Sequence, residues 1–219
     1  MKKLTKIDEL TLYQHHYLDP DDECHYFGEY IAKGGYDTEF NQLILNFKIR
    51  PSDIARNPRR QYHKNQAISK CAEMFKGAIY DKFPAHFIPM PPSKCEDDPN
   101  YDDRTLQLCA QICDGNKNWI LTDLLRPKRT IEAFHSISGK RPTPSELADI
   151  LIVSDARYKL NTDTIFLVDD VLTTGSHYKA AKSILLNRFG HGIDVIGLFI
   201  ARTIHPSPLD DFEDVSDQF

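Results

Sequence analysis

The sequence predicts an α/β protein with a parallel central sheet, and residues 164–203 carry the prediction. TIFLVDD is a nearly continuous apolar run ending in two carboxylates, as expected of a strand covered on both faces. TTGS is a tight turn of small residues, and HYKAAKSILLNRFG is an amphipathic helix that stops at Gly190. DVIGLFIART then supplies another buried strand. A strand, helix and strand in that order make a right-handed crossover, which sets the two strands parallel and calls for helices on both faces of the sheet.

The earlier elements follow from the same rules. Residues 19–23 are polar and acidic and read as a surface turn, after which HYFGEYIAKGGY, with Gly34 and Gly35, predicts a hairpin-like start. Phe40, Leu43, Ile44 and Phe47 recur at spacings of three and four, one buried stripe of a short helix. A second helix is expected over 66–80, where Ile68, Cys71, Ala72, Phe75 and Ile79 share a face. HFIPMPPSK is strand-like to Ile88, and Pro89, Pro91 and Pro92 then force a rigid extended loop. Asp102 or Asp103 caps a helix through Cys113, and NWILTD is a short strand. Residues 126–144 read as a basic irregular loop, because Gly139, Pro142 and Pro144 interrupt any helical pattern. One domain over 1–219 is expected, with an N-terminal accessory or hood region at 1–60, a core at 61–206 and an acidic tail at 207–219.

Composition narrows the function classes. A net charge of −5 gives no overall attraction to nucleic acid or an anionic membrane, so a polyanion would have to meet a local basic patch. No apolar run approaches the ~20 residues that span a bilayer, and the start MKKLTKIDEL carries Asp8 and Glu9 where a signal peptide needs apolar residues. A cytoplasmic protein without membrane contact is the expectation. The five cysteines form no Cys-x-x-Cys pair and are expected as free thiols, with Cys109 and Cys113 packed on one helix face. His15, His16, Cys24 and His25 cluster but lack zinc-ligand spacing.

The chemistry concentrates where the strand TIFLVDD ends. Asp169 and Asp170 stand at the carboxyl end of a buried parallel strand, where ligands of open α/β sheets bind. They can accept from adjacent ribose hydroxyls or hold a hydrated Mg²⁺. Thr173, Thr174, Gly175, Ser176 and His177 then open a helix whose N-terminal N–H groups suit a phosphate. Because the aspartates end a strand instead of filling a core, both are expected to be replaceable without loss of fold.

IFLVDDVLTTGSH closely resembles the 5-phosphoribosyl-1-pyrophosphate (PRPP) signature of the type I phosphoribosyltransferases. The resemblance implies that fold, ribose contacts at the catalytic pair Asp169 and Asp170, and 5′-phosphate contacts at 173–177. LILNFKIR, HFIPMPPSK, LLRPKRT and FIART further resemble, in order, landmarks of the ComF family of competence-associated, amidophosphoribosyltransferase-like proteins. The family's Cys-x-x-Cys zinc motifs are missing, and its Arg-Gly-Phe-Asn-Gln stretch is replaced by Asn100, Tyr101, Asp102, Asp103 and Arg104. The resemblance gives Pro91, Pro92, Ser93 and Lys94 to the pyrophosphate, and Lys94 adds a point charge there. Arg126, Lys128 and Arg129 belong to a loop that closes over the same group, with Lys48 and Arg202 as secondary candidates. Transfer of the phosphoribosyl group to a nitrogen acceptor, with Mg²⁺ on the leaving pyrophosphate, is the activity expected. The alternative is a non-catalytic sensor of PRPP or a related ribose phosphate, or a platform for single-stranded DNA using the basic loop with Phe134 and His135. Either role is open to a homo-oligomer or a subunit of a multi-protein complex for DNA uptake, processing or defence.

Overall fold

A six-stranded sheet runs through the computed structural model, which describes residues 3–128 and 142–205. In chain order its strands are β1 (Thr5–Lys6), β2 (Cys24–Ile31), β3 (Ala85–Pro89), β4 (Trp119–Leu121), β7 (Thr164–Leu172) and β8 (Asp194–Ile204). Across the sheet they lie in the order β1, β2, β8, β7, β3, β4, and only the β1 and β2 pair is antiparallel. Between β4 and β7 the chain forms a separate antiparallel ribbon from β5 (Leu125–Pro127) and β6 (Leu151–Val153).

Helices cover both faces. On one side α2 (Glu39–Phe47), α4 (Arg60–Ala78) and α5 (Arg104–Cys113) bring Ile44, Phe75 and Leu108 against Phe87, Phe166 and Ile200. On the other, α7 (Ser176–Phe189) lays Tyr178, Ala181 and Leu185 on Ile88, Leu167 and Phe199. Tyr178 takes its hydroxyl into this core, where it donates to the Val195 carbonyl at 2.8 Å, so the polar atom is not left bare. Short helices complete the chain: α1 (Glu9–Leu12), α3 (Pro51–Arg56) and α6 (Pro144–Ile150). No helix among the described residues is long and apolar enough to cross a membrane.

This topology creates one special crevice. From β3 the chain crosses to β4 through α5 on the first face, and from β7 it crosses to β8 through α7 on the second. β3 and β7 are neighbours, so the two crossovers leave in opposite directions. Their carboxyl ends therefore flank a switch point, the place where open α/β sheets bind ligands.

Some expectations change. Residues 25–36 do not form a hairpin: β2 runs parallel to β8, with Tyr26 and Phe27 buried in the two opposite cores. Consecutive buried aromatics point to opposite faces, as in a strand covered on both sides, and the parallel partner lies at the far end of the chain. The stretch expected as an accessory region contributes β1 and β2 to the main sheet. Pro144 starts α6 instead of interrupting a helix, because a proline at the first turn gives up only an N–H that has no intrahelical partner. Thr143 and Glu146 close a capping box around it.

Candidate functional site

Adjacent aspartates at the end of β7 have opposite surroundings. Asp170 is buried, and its carboxylate accepts from Lys48 Nζ at 2.9 Å and from Arg104 Nη2 at 2.9 Å. Arg104 also reaches Asp102 through Nη1 at 2.8 Å, and Asp102 accepts from the buried Lys64 at 2.5 Å. Lys48, Asp170, Arg104, Asp102 and Lys64 thus alternate in sign along one chain of contacts. Burial alone would raise the Asp170 carboxyl, but Lys48 and Arg104 hold it well below the usual carboxylate range. Asp169 has no such partner; its Oδ1 accepts the Asp170 N–H at 2.8 Å. Burial, and then the Asp170 charge beside it, push the Asp169 carboxyl above its ordinary value.

The turn beyond β7 is shaped by glycine and held from behind. Gly175 has φ +87°, a left-handed conformation open mainly to glycine, and it caps the N-terminus of α7. Ser176 is buried with its hydroxyl 3.3 Å from that of Thr174, while His177 is exposed. Thr173 and Thr174 turn their carbonyls towards residues 15–17: His15 Nδ1 donates to the Thr173 carbonyl, and the Tyr17 N–H donates to that of Thr174 at 3.0 Å. With Nδ1 protonated by that bond, His15 Nε2 is a buried acceptor without a partner among the described residues. Burial lowers the His15 pKa against the pull of the Thr173 carbonyl, which keeps the ring neutral. Leu18 closes the same side of the turn, where a Cβ on Gly175 would come within 2.7 Å of it. Carbonyls drawn backwards leave the N–H side of the turn facing away from this strap, the orientation an anion needs.

Across the switch point, the Met90 N–H donates to the Val168 carbonyl at 2.8 Å and so draws the loop after β3 alongside the end of β7. Pro92, Ser93 and Lys94 line an open cleft of about 810 Å³ that also contains Lys48 and Arg104. Lys94 lies 3.3 Å from Asp98. The structure therefore brings the loop at 92–94 together with the cations that hold Asp170, whereas residues 173–177 do not line this cleft. Arg126 is engaged by Asp123 and, at 3.3 Å, by Glu96. Lys128 donates to the Asp149 carbonyl at 2.7 Å, near the end of α6. Neither faces the cleft, and Arg129, Phe134 and His135 lie outside the described residues. Arg202 is a buried strand residue, paired with Glu29 and Gln14.

Arg104, Asp102 and Lys64 were invisible to sequence reasoning as site residues. Arg104 sits in the stretch where the family resemblance breaks, and the only signal for it was an acidic pair in need of cations. As for Mg²⁺, no group of three potential ligands occurs among the described residues, and both oxygens of Asp170 are taken by cations. The aspartate pair is thus not a ready-made cage; only Asp169 keeps an oxygen without a drawn partner. No protein-family model and no curated protein matches the chain. Fold and site together define an α/β protein with a mostly parallel central sheet and a polar crevice at its switch point.

Proposed function

We propose that this is a type I phosphoribosyltransferase-like protein that binds PRPP or a related ribose phosphate at the switch point and transfers the phosphoribosyl group to a nitrogen acceptor. One observation carries the reading: the acidic end of β7 runs within a few residues into a glycine-shaped turn that opens a 14-residue helix. A ribose phosphate matches that order, with its hydroxyls on a carboxylate and its phosphate on backbone N–H groups.

The two aspartates divide the work. Asp169 accepts from ribose hydroxyls, since among the described residues only the Asp170 N–H donates to it and its second oxygen is left for a ligand. Asp170 acts through Lys48 and Arg104, which it fixes at the mouth of the cleft. In the transfer, the bond from C1 to the pyrophosphate oxygen breaks and the electron pair leaves with pyrophosphate. The acceptor nitrogen supplies the pair for the new C1–N bond and afterwards loses its proton to solvent. Lys94 meets the charge that develops on the leaving group. Among the described residues Asp169 is the carboxylate that would hold a Mg²⁺ ion bound with the pyrophosphate, and the ion would supply neutralisation of the leaving group's charge. Positioning and charge screening suffice for such a displacement, so no covalent nucleophile is required.

Calorimetry tests the reading. Wild-type protein should bind both PRPP and ribose 5-phosphate, and Asp169→Asn should weaken both at least tenfold while the circular dichroism spectrum stays unchanged. Unaltered affinity for both ligands in that variant would refute the assignment of the ribose site.

A further inference from the structure

The chain is acidic overall, yet residues 48–64 hold six Lys and Arg against one carboxylate, Asp53. Much of this charge is already matched. Lys48 is paired with Asp170, Lys64 with Asp102, and Arg104 with both aspartates. Arg50 and Arg60 are different. Both line the 810 Å³ cleft; Arg50 is exposed, with no ion pair or side-chain hydrogen bond drawn to it among the described residues. Arg60 stands 3.8 Å from Asp53, beyond hydrogen-bonding distance. The surplus of positive charge in the cleft therefore rests on Arg50 and Arg60, while Lys48 and Arg104 are neutralised by Asp170 and Asp102. Leu45 and Pro51 line the same cleft with apolar surface, and Tyr36 adds a half-exposed ring. Sites of this volume hold small molecules, and a wall that mixes apolar patches with convergent charges orients one.

From this division we infer that the Arg50 and Arg60 side of the cleft, away from the pyrophosphate loop at 92–94, is the acceptor subsite and selects a small, flat, anionic acceptor, whose carboxylate or phosphate pairs with Arg50 and Arg60. The apolar body of the acceptor lies on Tyr36 and Leu45, and its nitrogen points inward to the Asp170 end, beside the ribose site. A neutral acceptor of the same shape leaves Arg50 unpaired and Arg60 with only the distant Asp53, and is discriminated against. The inference rests on the ribose-phosphate reading, but its anion selectivity can be measured independently.

The test uses orotate and uracil, which share a pyrimidine ring and differ by a carboxylate. Orotate should bind the full-length protein at least tenfold more tightly than uracil at low salt. Arg50→Ala with Arg60→Ala should bring orotate down to the uracil level and leave ribose 5-phosphate affinity unchanged. Arg50→Lys with Arg60→Lys, which keeps the charge, should retain part of the preference and guards against a loss due to unfolding. Equal binding of orotate and uracil by the wild type overturns the inference, as does an orotate preference that survives the double alanine variant. So does binding of single-stranded oligonucleotides, without orotate, that the double variant abolishes; the basic wall would then serve nucleic acid. If ribose 5-phosphate fails to bind while orotate selectivity appears as described, the ribose-phosphate reading falls and the anion site stands.

Discussion

The turn at 173–176 and the ion network around Asp170 sit at the same end of β7, but they handle charge by different means. The turn offers backbone N–H groups at a helix N-terminus, held from behind by His15, Tyr17 and Leu18. It carries no formal charge and depends on a single backbone conformation. The network is made of charged side chains, several of them buried, and each is costly unless its neighbour is present. The turn should therefore fail through geometry, with binding lost at a smaller cost in stability. The network should fail through stability before binding is measured at all.

Asp170→Asn tests the network and should produce the largest effect. It removes the anion between Lys48 and Arg104, and breaking a buried pair of this kind costs about 3 kcal/mol. Urea denaturation should show it, with Asp169→Asn, the same chemical change one residue earlier, losing no stability at neutral pH. This outcome would depart from the reading in which both aspartates are replaceable without loss of fold. Position at a strand end does not make Asp170 peripheral, because α5 and the segment after α2 close over it. Equal stability losses in the two variants would erase the distinction drawn between the carboxylates.

Gly175→Val comes next. A β-branched residue at φ +87° costs about 1–3 kcal/mol, and its Cβ also meets Leu18. PRPP and ribose 5-phosphate should both weaken ten- to hundredfold, since both use the turn. Retained affinity for either ligand would place the phosphate elsewhere.

The pH dependence of stability separates the aspartates more finely. A folded-state pKa raised above the unfolded value means stability that is full below the unfolded pKa and lost as pH rises through the folded one; Asp169 is of this kind. Asp170 is the reverse: its contribution is present above the unfolded pKa and disappears as pH falls through its depressed folded value. Relative to wild type, Asp169→Asn should therefore gain thermal stability as pH rises from about 4 towards 8. A melting-temperature difference that is flat over this range would mean that Asp169 ionises normally.

Lys94→Ala should have the smallest effect, a few-fold loss of PRPP affinity with ribose 5-phosphate unaffected. Asp98 already takes part of the Lys94 charge, and only PRPP carries the pyrophosphate. If both ligands weakened equally, the loop at 92–94 would belong to the ribose side.

The sequence by itself determined the order from β7 through the turn and α7 to β8, including which glycine opens the helix, although β7 runs two residues past the aspartates, to Leu172. It could do so because strand, turn and helix are specified by consecutive residues, through hydrophobic period and local backbone preference. It also marked the rigid proline exit of β3. Only the tertiary structure decided that Asp170 is held by Lys48 and Arg104 while Asp169 is left with a backbone N–H. The same is true of β2, whose aromatics were legible but read as a hairpin-like start because its parallel partner β8 was not, and of Arg126 and Lys128, whose charges are engaged away from the cleft. Charge pairing and strand pairing join residues far apart in the chain. Arg104 lies 66 positions from Asp170, and no local pattern records such a distance. Whether a basic residue is an unspent ligand group or half of an internal ion pair is settled by which elements the fold packs around it.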